Sequence, residues 1–337
     1  MSTMTETSTT AGDTAQMTMA VAMNSALDLA LAGDERVILL GEDIADPAGG
    51  VFKVTKGLST KYGTERVRAT PIAETAIVGA AVGAALAGYR PVAEVMFMDF
   101  LTECLDQIAN HAAKLRYMSG GGSTVPVTIR SCVGEQRFGA QHTQTLESWF
   151  MHTPGIKVVM HATPYDAKGL LATCIADDDP CLYIENVRLA YTQKQEIPVG
   201  EYRIPLGSAD IKRSGRDVSV ISYGPAVHTA LAAADELAGE GVEVEVADLR
   251  SLVPLDMDTV LESVARTRRA VVLHDAHTFC GPGAEIAAQL GDRLFGQLAA
   301  PVKRLGAGYS PAPYAPSGLG FLPTADELTA LIRDLVA

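Results

Sequence analysis

Thr75-Ala-Ile-Val-Gly-Ala-Ala-Val-Gly-Ala-Ala-Leu-Ala-Gly-Tyr89 leads, past Arg90-Pro91, into Val92-Ala-Glu-Val-Met-Phe-Met98. The first stretch is almost wholly Ala, Val, Ile, Leu and Gly, with Gly79 and Gly83 four apart and so on one helical face. A helix that is apolar all round must be buried, either inside a domain or against a neighbouring subunit. Its small side chains permit another backbone to come close. The second stretch is short and mostly apolar, the pattern of a strand covered on both faces. A buried helix feeding a buried strand is the repeating unit of an α/β layer structure.

Working outward, the alternation continues in both directions. Met19–Ala32 has helical spacing and ends at Gly33-Asp34, ahead of the strand-like Arg36-Val-Ile-Leu-Leu40. Gly41-Glu-Asp43 then lies past a strand's carboxyl end, where open parallel sheets place ligands, although an ordinary turn with solvated acids reads equally well. Leu101–Tyr117 predicts a helix, and Pro126–Arg130 and Lys157–Met160 predict strands. Pro164-Tyr-Asp-Ala-Lys-Gly169 opens a helix that Asp177-Asp-Asp-Pro180 closes. A linker rich in Pro, Gly and Gln, from Tyr191 to about Pro205, separates this region from a second one with strand-like runs at Val218–Tyr223, Val242–Asp248, Ala270–His274 and Val302–Leu305. The reading is a disordered tail over 1–16, a first domain over 17–195 and a second over 205–334. Both domains are α/β, doubly wound, with mostly parallel sheets.

Whole-chain properties bound the function. At 337 residues the chain is long enough for two cores with a cofactor-sized cleft between them. A net charge of −13 opposes nucleic-acid binding, which draws its affinity from clustered Lys and Arg. No apolar run reaches the roughly 18 residues that a membrane span requires. The 5 cysteines are an odd set without metal-ligand spacing and mostly sit in apolar segments, so a reducing cytoplasm fits. Met1–Gln16 is rich in Ser and Thr with no Lys or Arg, unlike a signal or an anchor.

Two residues stand out for chemistry. Glu74, in Thr70-Pro-Ile-Ala-Glu74, stands at the mouth of the apolar helix, where desolvation would raise its carboxyl pKa and let it share a proton with a cofactor ring nitrogen. The plainer alternative is a first-turn Glu stabilised by the helix dipole. His142, in Gly139-Ala-Gln-His-Thr-Gln144, is a candidate proton shuttle, against the base rate that a lone histidine is surface or satisfied core.

Those two segments occur in order with Phe97-Met-Asp-Phe100, Asp106-Gln107 with Asn110, Tyr117-Met-Ser-Gly-Gly121, Asp166-Ala-Lys-Gly-Leu170, Asp248-Leu-Arg250, Pro254-Leu-Asp256 and Gly283-Ala-Glu-Ile-Ala287. The ordered set resembles the beta subunits of the thiamine-diphosphate-dependent decarboxylating component of pyruvate, branched-chain and acetoin dehydrogenase complexes. The likeness runs from about Met19 to Pro316. It implies a transketolase-like pyrimidine-binding domain followed by a transketolase C-terminal-like domain. It further implies that Glu74 hydrogen-bonds the aminopyrimidine ring of thiamine diphosphate, that Phe100 packs on that ring with Met96 lining the pocket, and that His142 faces the substrate or lipoyl side. The implied reaction is oxidative decarboxylation of a 2-oxo acid, pyruvate above all, with acyl transfer to lipoyl. Acetoin cleavage or a biosynthetic carboligation is the alternative. A potassium ion is implied at oxygens of Val127, Cys174, Ile175 and Asp177 with Asp179 close by, where an exposed aspartate turn reads equally well.

The chain carries no Gly-Asp-Gly, the motif with which thiamine enzymes hold Mg²⁺ and the diphosphate. The resemblance therefore implies an alpha subunit that supplies that grip in an alpha2-beta2 heterotetramer, and a lipoyl-bearing acyltransferase core as a further partner. A non-catalytic scaffold subunit is the rival of another class, opposed by the presence of both Glu74 and His142. An independent hydride-transferring dehydrogenase is weakened because no Gly-x-Gly-x-x-Gly follows a strand.

Overall fold

The computed structural model describes residues 13–134, 138–314 and 320–337. The chain opens with strand β1 (Thr14–Thr18) and helix α1 (Met19–Gly33), then alternates β2 (Val37–Glu42), α2 (Leu58–Tyr62), β3 (Val67–Thr70), α3 (Glu74–Leu86) and β4 (Arg90–Val95). A 3-10 turn (Met98–Thr102), a π-helical turn (Gln107–Ala112) and α4 (Leu115–Met118) lead to β5 (Thr128–Val133), α5 (Glu147–Met151), β6 (Lys157–Met160), α6 (Pro164–Ala176), β7 (Cys181–Asn186) and β8 (Lys194–Pro198). The second region holds β9 (Asp210–Arg213), β10 (Val218–Ser222), α7 (Ala226–Ala238), β11 (Val244–Asp248), β12 (Ser251–Val253), α8 (Met257–Thr267), β13 (Ala270–His277), α9 (Pro282–Arg293), β14 (Lys303–Ala307) and α10 (Ala325–Val336).

Among the described residues a seven-stranded sheet has the order β12-β6-β7-β5-β4-β2-β3, and a five-stranded sheet has the order β14-β13-β10-β11-β9. Pairing is parallel except at β12 and β9. Strand alternation sorts the first core into two layers. Ile38, Leu40, Ala93, Val95 and Ile129 pack against Val78, Ala81 and Val82 of α3. Leu39, Val92 and Tyr183 pack against Met23, Leu27 and Leu31 of α1 and Leu170 and Leu171 of α6. Helix α6 starts cleanly because Thr163 accepts from the Asp166 N–H and Pro164 occupies the first turn.

Three expectations need correction. Thr14–Gln16 is not a loose tail: β1 pairs antiparallel with β8, register Thr14↔Pro198, so part of the supposed linker is also a strand. Met17, Ala22 and Ile197 form a small core of their own, which fixes this ribbon against α1. Leu101–Tyr117 is not one helix but passes through 3-10, π and α turns. The widened turn, marked by Ala113 N–H donating to Ile108 O, buries both Ile108 and Ala112 and leaves Asp106 and His111 outside. Finally, the linker does not divide the chain into two separate cores. β12 comes from the second region but joins the first sheet beside β6, and Tyr223, Leu249, Leu252 and Ile286 share one core with Met160, Leu182 and Ile184.

Candidate functional site

The chain reverses its winding at β2, because β3 lies on one flank of that strand and β4 on the other. A crevice at the carboxyl ends of such strands is where open α/β sheets bind ligands. Glu42 ends β2, Glu74 follows β3 and Phe97–Phe100 follow β4, so three successive connections converge there.

Glu74 is the first residue of α3 and is half-buried. Its neighbour Thr75 donates to Glu103 O at 2.6 Å, tying the head of α3 to the turn that carries Phe100. The Glu74 charge is felt by two groups nearby. Burial first, and then Glu74, Asp43 and Glu94, raise the Glu42 carboxyl above its ordinary range. Burial and Glu74 together push the Cys104 thiol up to about 12. Glu42 Oε1 is buried with no hydrogen-bond partner among the described residues. An orphaned carboxyl oxygen beside a second carboxylate is an arrangement suited to a nitrogenous ring that brings its own donors.

Phe97 takes a left-handed backbone (φ 64°), rare for a bulky residue, and this bend turns β4 into the 3-10 turn. Its ring meets the His142 imidazole edge-on at 4.9 Å, and Phe100 does so at 5.4 Å. His142, half-buried, therefore sits in an aromatic bracket. The backbone beneath it is pressed close: a Cβ on Gly134 would lie 1.9 Å from His142 O, so only glycine fits there.

Met96 takes a different position from Phe100. It lines a small niche with Gly50, Phe52, Glu94, Arg130, Cys132 and Glu185. Within it, the fully buried Arg130 pairs with Glu94 and Glu185, each at 2.6 Å. Burial works against that guanidinium, but the two carboxylates outweigh it and hold it more firmly protonated than usual. Burial also raises Glu185 to about 7, against the pull of Arg130. Sequence reading placed Gly41-Glu-Asp43 at a ligand position, with a solvated turn as the equal alternative and no role for Glu42, and it did not name the buried triad. Glu42 carried a signal, its place just beyond an apolar strand. The triad carried none, since β4, β5 and β7 become neighbours only on folding.

Each of the oxygens proposed for potassium accepts a donor from the protein. Arg90 donates to Ile175 O at 3.2 Å and Asp177 O at 2.9 Å, Cys181 N–H to Val127 O at 2.9 Å, and Asp177 N–H to Cys174 O at 3.3 Å. Lys157 binds the Asp177 carboxylate at 2.5 Å and Arg116 binds Asp179 at 2.5 Å. Protein cations are paired at this corner, and no step is routed through a metal ion.

Fold and geometry together define a two-sheet α/β protein that carries a carboxylate at a helix head and a histidine between two aromatic rings beyond the carboxyl ends of its first sheet. Residues 15–192 match the transketolase pyrimidine-binding domain family, and residues 207–327 match the transketolase C-terminal domain family. The chain is 47% identical over 329 residues to the acetoin:2,6-dichlorophenolindophenol oxidoreductase beta subunit of Cupriavidus necator, covering 94% of this chain and 97% of that one. It is 44% identical to the protein of that name in Bacillus subtilis, covering 95% and 97%. It is also 43% identical to the pyruvate dehydrogenase E1 component beta subunit of Bacillus subtilis, covering 96% and 99%. A solved structure described as a split-gene transketolase, inactive beta4 tetramer, superposes with TM-score 0.78 at 20% identity, covering 95% and 98%; that likeness concerns the fold. The chain thus belongs to the beta subunits of thiamine-diphosphate-dependent 2-oxo acid dehydrogenases of the pyruvate and acetoin type. Membership carries oxidoreductase activity and thiamine diphosphate binding at the pyrimidine domain. Among the described residues no helix is long and apolar enough to cross a membrane.

Proposed function

We propose that this chain supplies the pyrimidine-side half of a thiamine diphosphate site in an alpha2-beta2 enzyme, and that acetoin is its substrate. The observation that supports the reading is that Glu74 and Phe100 follow β3 and β4 at the switch point, on connections tied together by Thr75 and Glu103 O, with the Phe100 ring edge-on to His142. Bound thiamine diphosphate would supply the electron sink for breaking a carbon–carbon bond next to a carbonyl. Glu74 then holds or moves a proton at the pyrimidine nitrogen, with the raised Glu42 carboxyl as its neighbour. Phe100 packs against the ring and excludes water. His142, bracketed by Phe97 and Phe100, moves a proton at the substrate oxygen. Pyruvate led the sequence reading. The acetoin oxidoreductase relatives, at 47% and 44% identity, now favour acetoin, with pyruvate the second reading on a relative at 43%.

A separate alpha chain is proposed to hold the diphosphate and Mg²⁺, and a lipoyl-bearing acyltransferase core to accept the product. Ile77, Val78, Ala81, Val82 and Ala85 bury one side of α3, while Ala76, Ala80, Gly83 and Leu86 stay exposed with Ile72 nearby. This small-sided apolar face fits a helix of such a partner. The test is co-expression with an alpha chain bearing Gly-Asp-Gly, followed by reduction of dichlorophenolindophenol with acetoin, pyruvate and branched 2-oxo acids. Acetoin is expected to give the highest kcat/KM. Turnover of pyruvate alone would replace the substrate assignment, and a complex that binds no thiamine diphosphate would overturn the proposal.

A further inference from the structure

The His142 loop is fastened by a residue to which nothing above gives a role. Asp99 lies between Met98 and Phe100 on the 3-10 turn and is only 4% exposed. Its Oδ1 accepts from both donors of one residue, Gln144 Nε2 at 2.8 Å and Gln144 N–H at 3.3 Å. Beside it, Leu146 N–H points at the Met98 sulfur at 3.4 Å. The turn that offers Phe100 to the imidazole thus also grips the loop two and four residues beyond that imidazole. On the other flank the His142 carbonyl rests on Gly134, leaving no room for a side chain.

Burying a carboxylate costs free energy, and Asp99 Oδ2 has no partner among the described residues, so the second oxygen recovers little of it. Packing alone would be met by an apolar residue of the same size. A carboxylate oxygen that takes both the backbone and the side-chain donor of residue 144 fixes that residue in position and orientation. The left-handed Phe97, two residues before Asp99, marks the same turn as conformationally strained, as functional sites often are.

We infer that Asp99 is a positioning residue for His142: by clamping Gln144 it keeps the imidazole against Phe97 and Phe100, aimed at the substrate side. The inference rests on the catalytic reading of His142. Asp99 itself touches no reacting atom. Displacement of a catalytic group by about 1 Å can cost on the order of 100-fold in rate, so loss of the clamp should lower kcat more than it changes KM.

The experiment uses the co-expressed complex with Asp99→Ala, Asp99→Asn, Asp99→Leu and Gln144→Ala, each also in a His142→Ala background. Steady-state kinetics are paired with the rate of diethylpyrocarbonate modification at His142, read by peptide mass spectrometry against the exposed His111. Asp99→Ala and Asp99→Leu are expected to lower kcat about 10- to 100-fold and to speed modification at His142 several-fold, with His111 unchanged. Asp99→Asn keeps an acceptor oxygen and should restore most of both. Gln144→Ala, which retains the backbone donor, should fall between and serves if Asp99→Ala does not assemble. In the His142→Ala background the Asp99 variants should have no further effect. Equal Asp99 effects with and without His142, or His142 reactivity that does not respond, would overturn the positioning role alone. A His142→Ala complex with unchanged kcat would instead sink the catalytic reading beneath it.

Discussion

The two sheets of this chain are wound on one plan, yet they hold a histidine in different ways at their carboxyl ends. Within the carboxyl-terminal half of β13 in the second sheet, His274 is fully buried and both ring nitrogens are engaged, Nδ1 with Ala276 O at 3.0 Å and Nε2 with the Gly283 N–H at 3.1 Å. Burial holds its pKa down to about 4, so it stays neutral. Beyond the first sheet, His142 is half-buried and edged by two phenylalanines, and Glu42 keeps an orphaned oxygen close to Glu74. Topology alone therefore does not make a site. Orphaned oxygens alone do not separate the two ends, since Ser222 Oγ and Asp248 Oδ2 close β10 and β11 without a hydrogen-bond partner among the described residues; what the first sheet adds is a half-buried imidazole between two aromatic rings.

The largest test of that contrast is Glu74→Ala in the assembled enzyme. Removal of a group that holds a proton at the cofactor ring should lower kcat about 100- to 10,000-fold, measured at saturating thiamine diphosphate, with the circular dichroism spectrum unchanged. A fall of less than about tenfold would remove the first sheet's claim to the chemistry. The buried triad beneath that crevice is the next largest lever. Arg130→Met leaves Glu94 and Glu185 facing each other without their cation. Breaking a buried pair in this way costs about 3–5 kcal/mol, readable as a lower urea midpoint. Replacement of all three residues by apolar ones of similar size should recover most of the loss, since a buried ion pair is itself weakly stabilising.

Acid exposes what the closed histidines contribute. His161, stacked on Tyr183 at 5.2 Å, and His274 both have folded pKa values of about 4, depressed by burial from an ordinary 6.5. For His161 the nearby Asp166 opposes the shift and Arg130 adds to it; for His274, Arg304 and His277 add to it while its backbone hydrogen bond opposes it. Between those two pH values the unfolded chain binds protons that the folded chain refuses. Stability contributed by each group is therefore full above pH 6.5 and is lost as pH falls towards 4, by roughly 3 kcal/mol per histidine. Urea titrations at pH 7.5, 6 and 5 check this. A His161→Phe variant should show a shallower acid limb, and an unchanged limb would mean that His161 is not neutral in the fold.

Much of this architecture was legible because local pattern and tertiary role agreed. The helix at Met19, the strand after Arg36 and the apolar α3 follow from spacing alone, whereas Glu74 and His142 stood out by position but took their roles only from the family resemblance. Elements whose partners lie far away in the sequence were not legible. β1 gains its meaning only from β8, and β12 crosses to a sheet its neighbours do not belong to. The Glu94–Arg130–Glu185 triad exists only because β4, β5 and β7 pair in register. Asp99 read as part of an aromatic motif, since its grip on Gln144 spans a strand and a loop.

The smallest effects come from exchanging the two histidines' fates. His274→Ala leaves the Gly283 N–H and Ala276 O without their ring partner. It also opens space where Gly281, Gly283 and Gly306 crowd the imidazole, each so close that a Cβ would fall within 3 Å of a ring atom. The unmet buried donor alone should lower stability by about 1–3 kcal/mol, while kcat per folded complex stays within about twofold. His142→Ala should do the reverse, moving stability by no more than about 0.5 kcal/mol and lowering kcat. The pair of variants separates role from burial more cleanly than either alone, because both remove an imidazole from the carboxyl end of a parallel sheet. If His274→Ala lost activity at full stability, the second sheet would share in the chemistry, and the contrast between the two carboxyl ends would have to be drawn elsewhere.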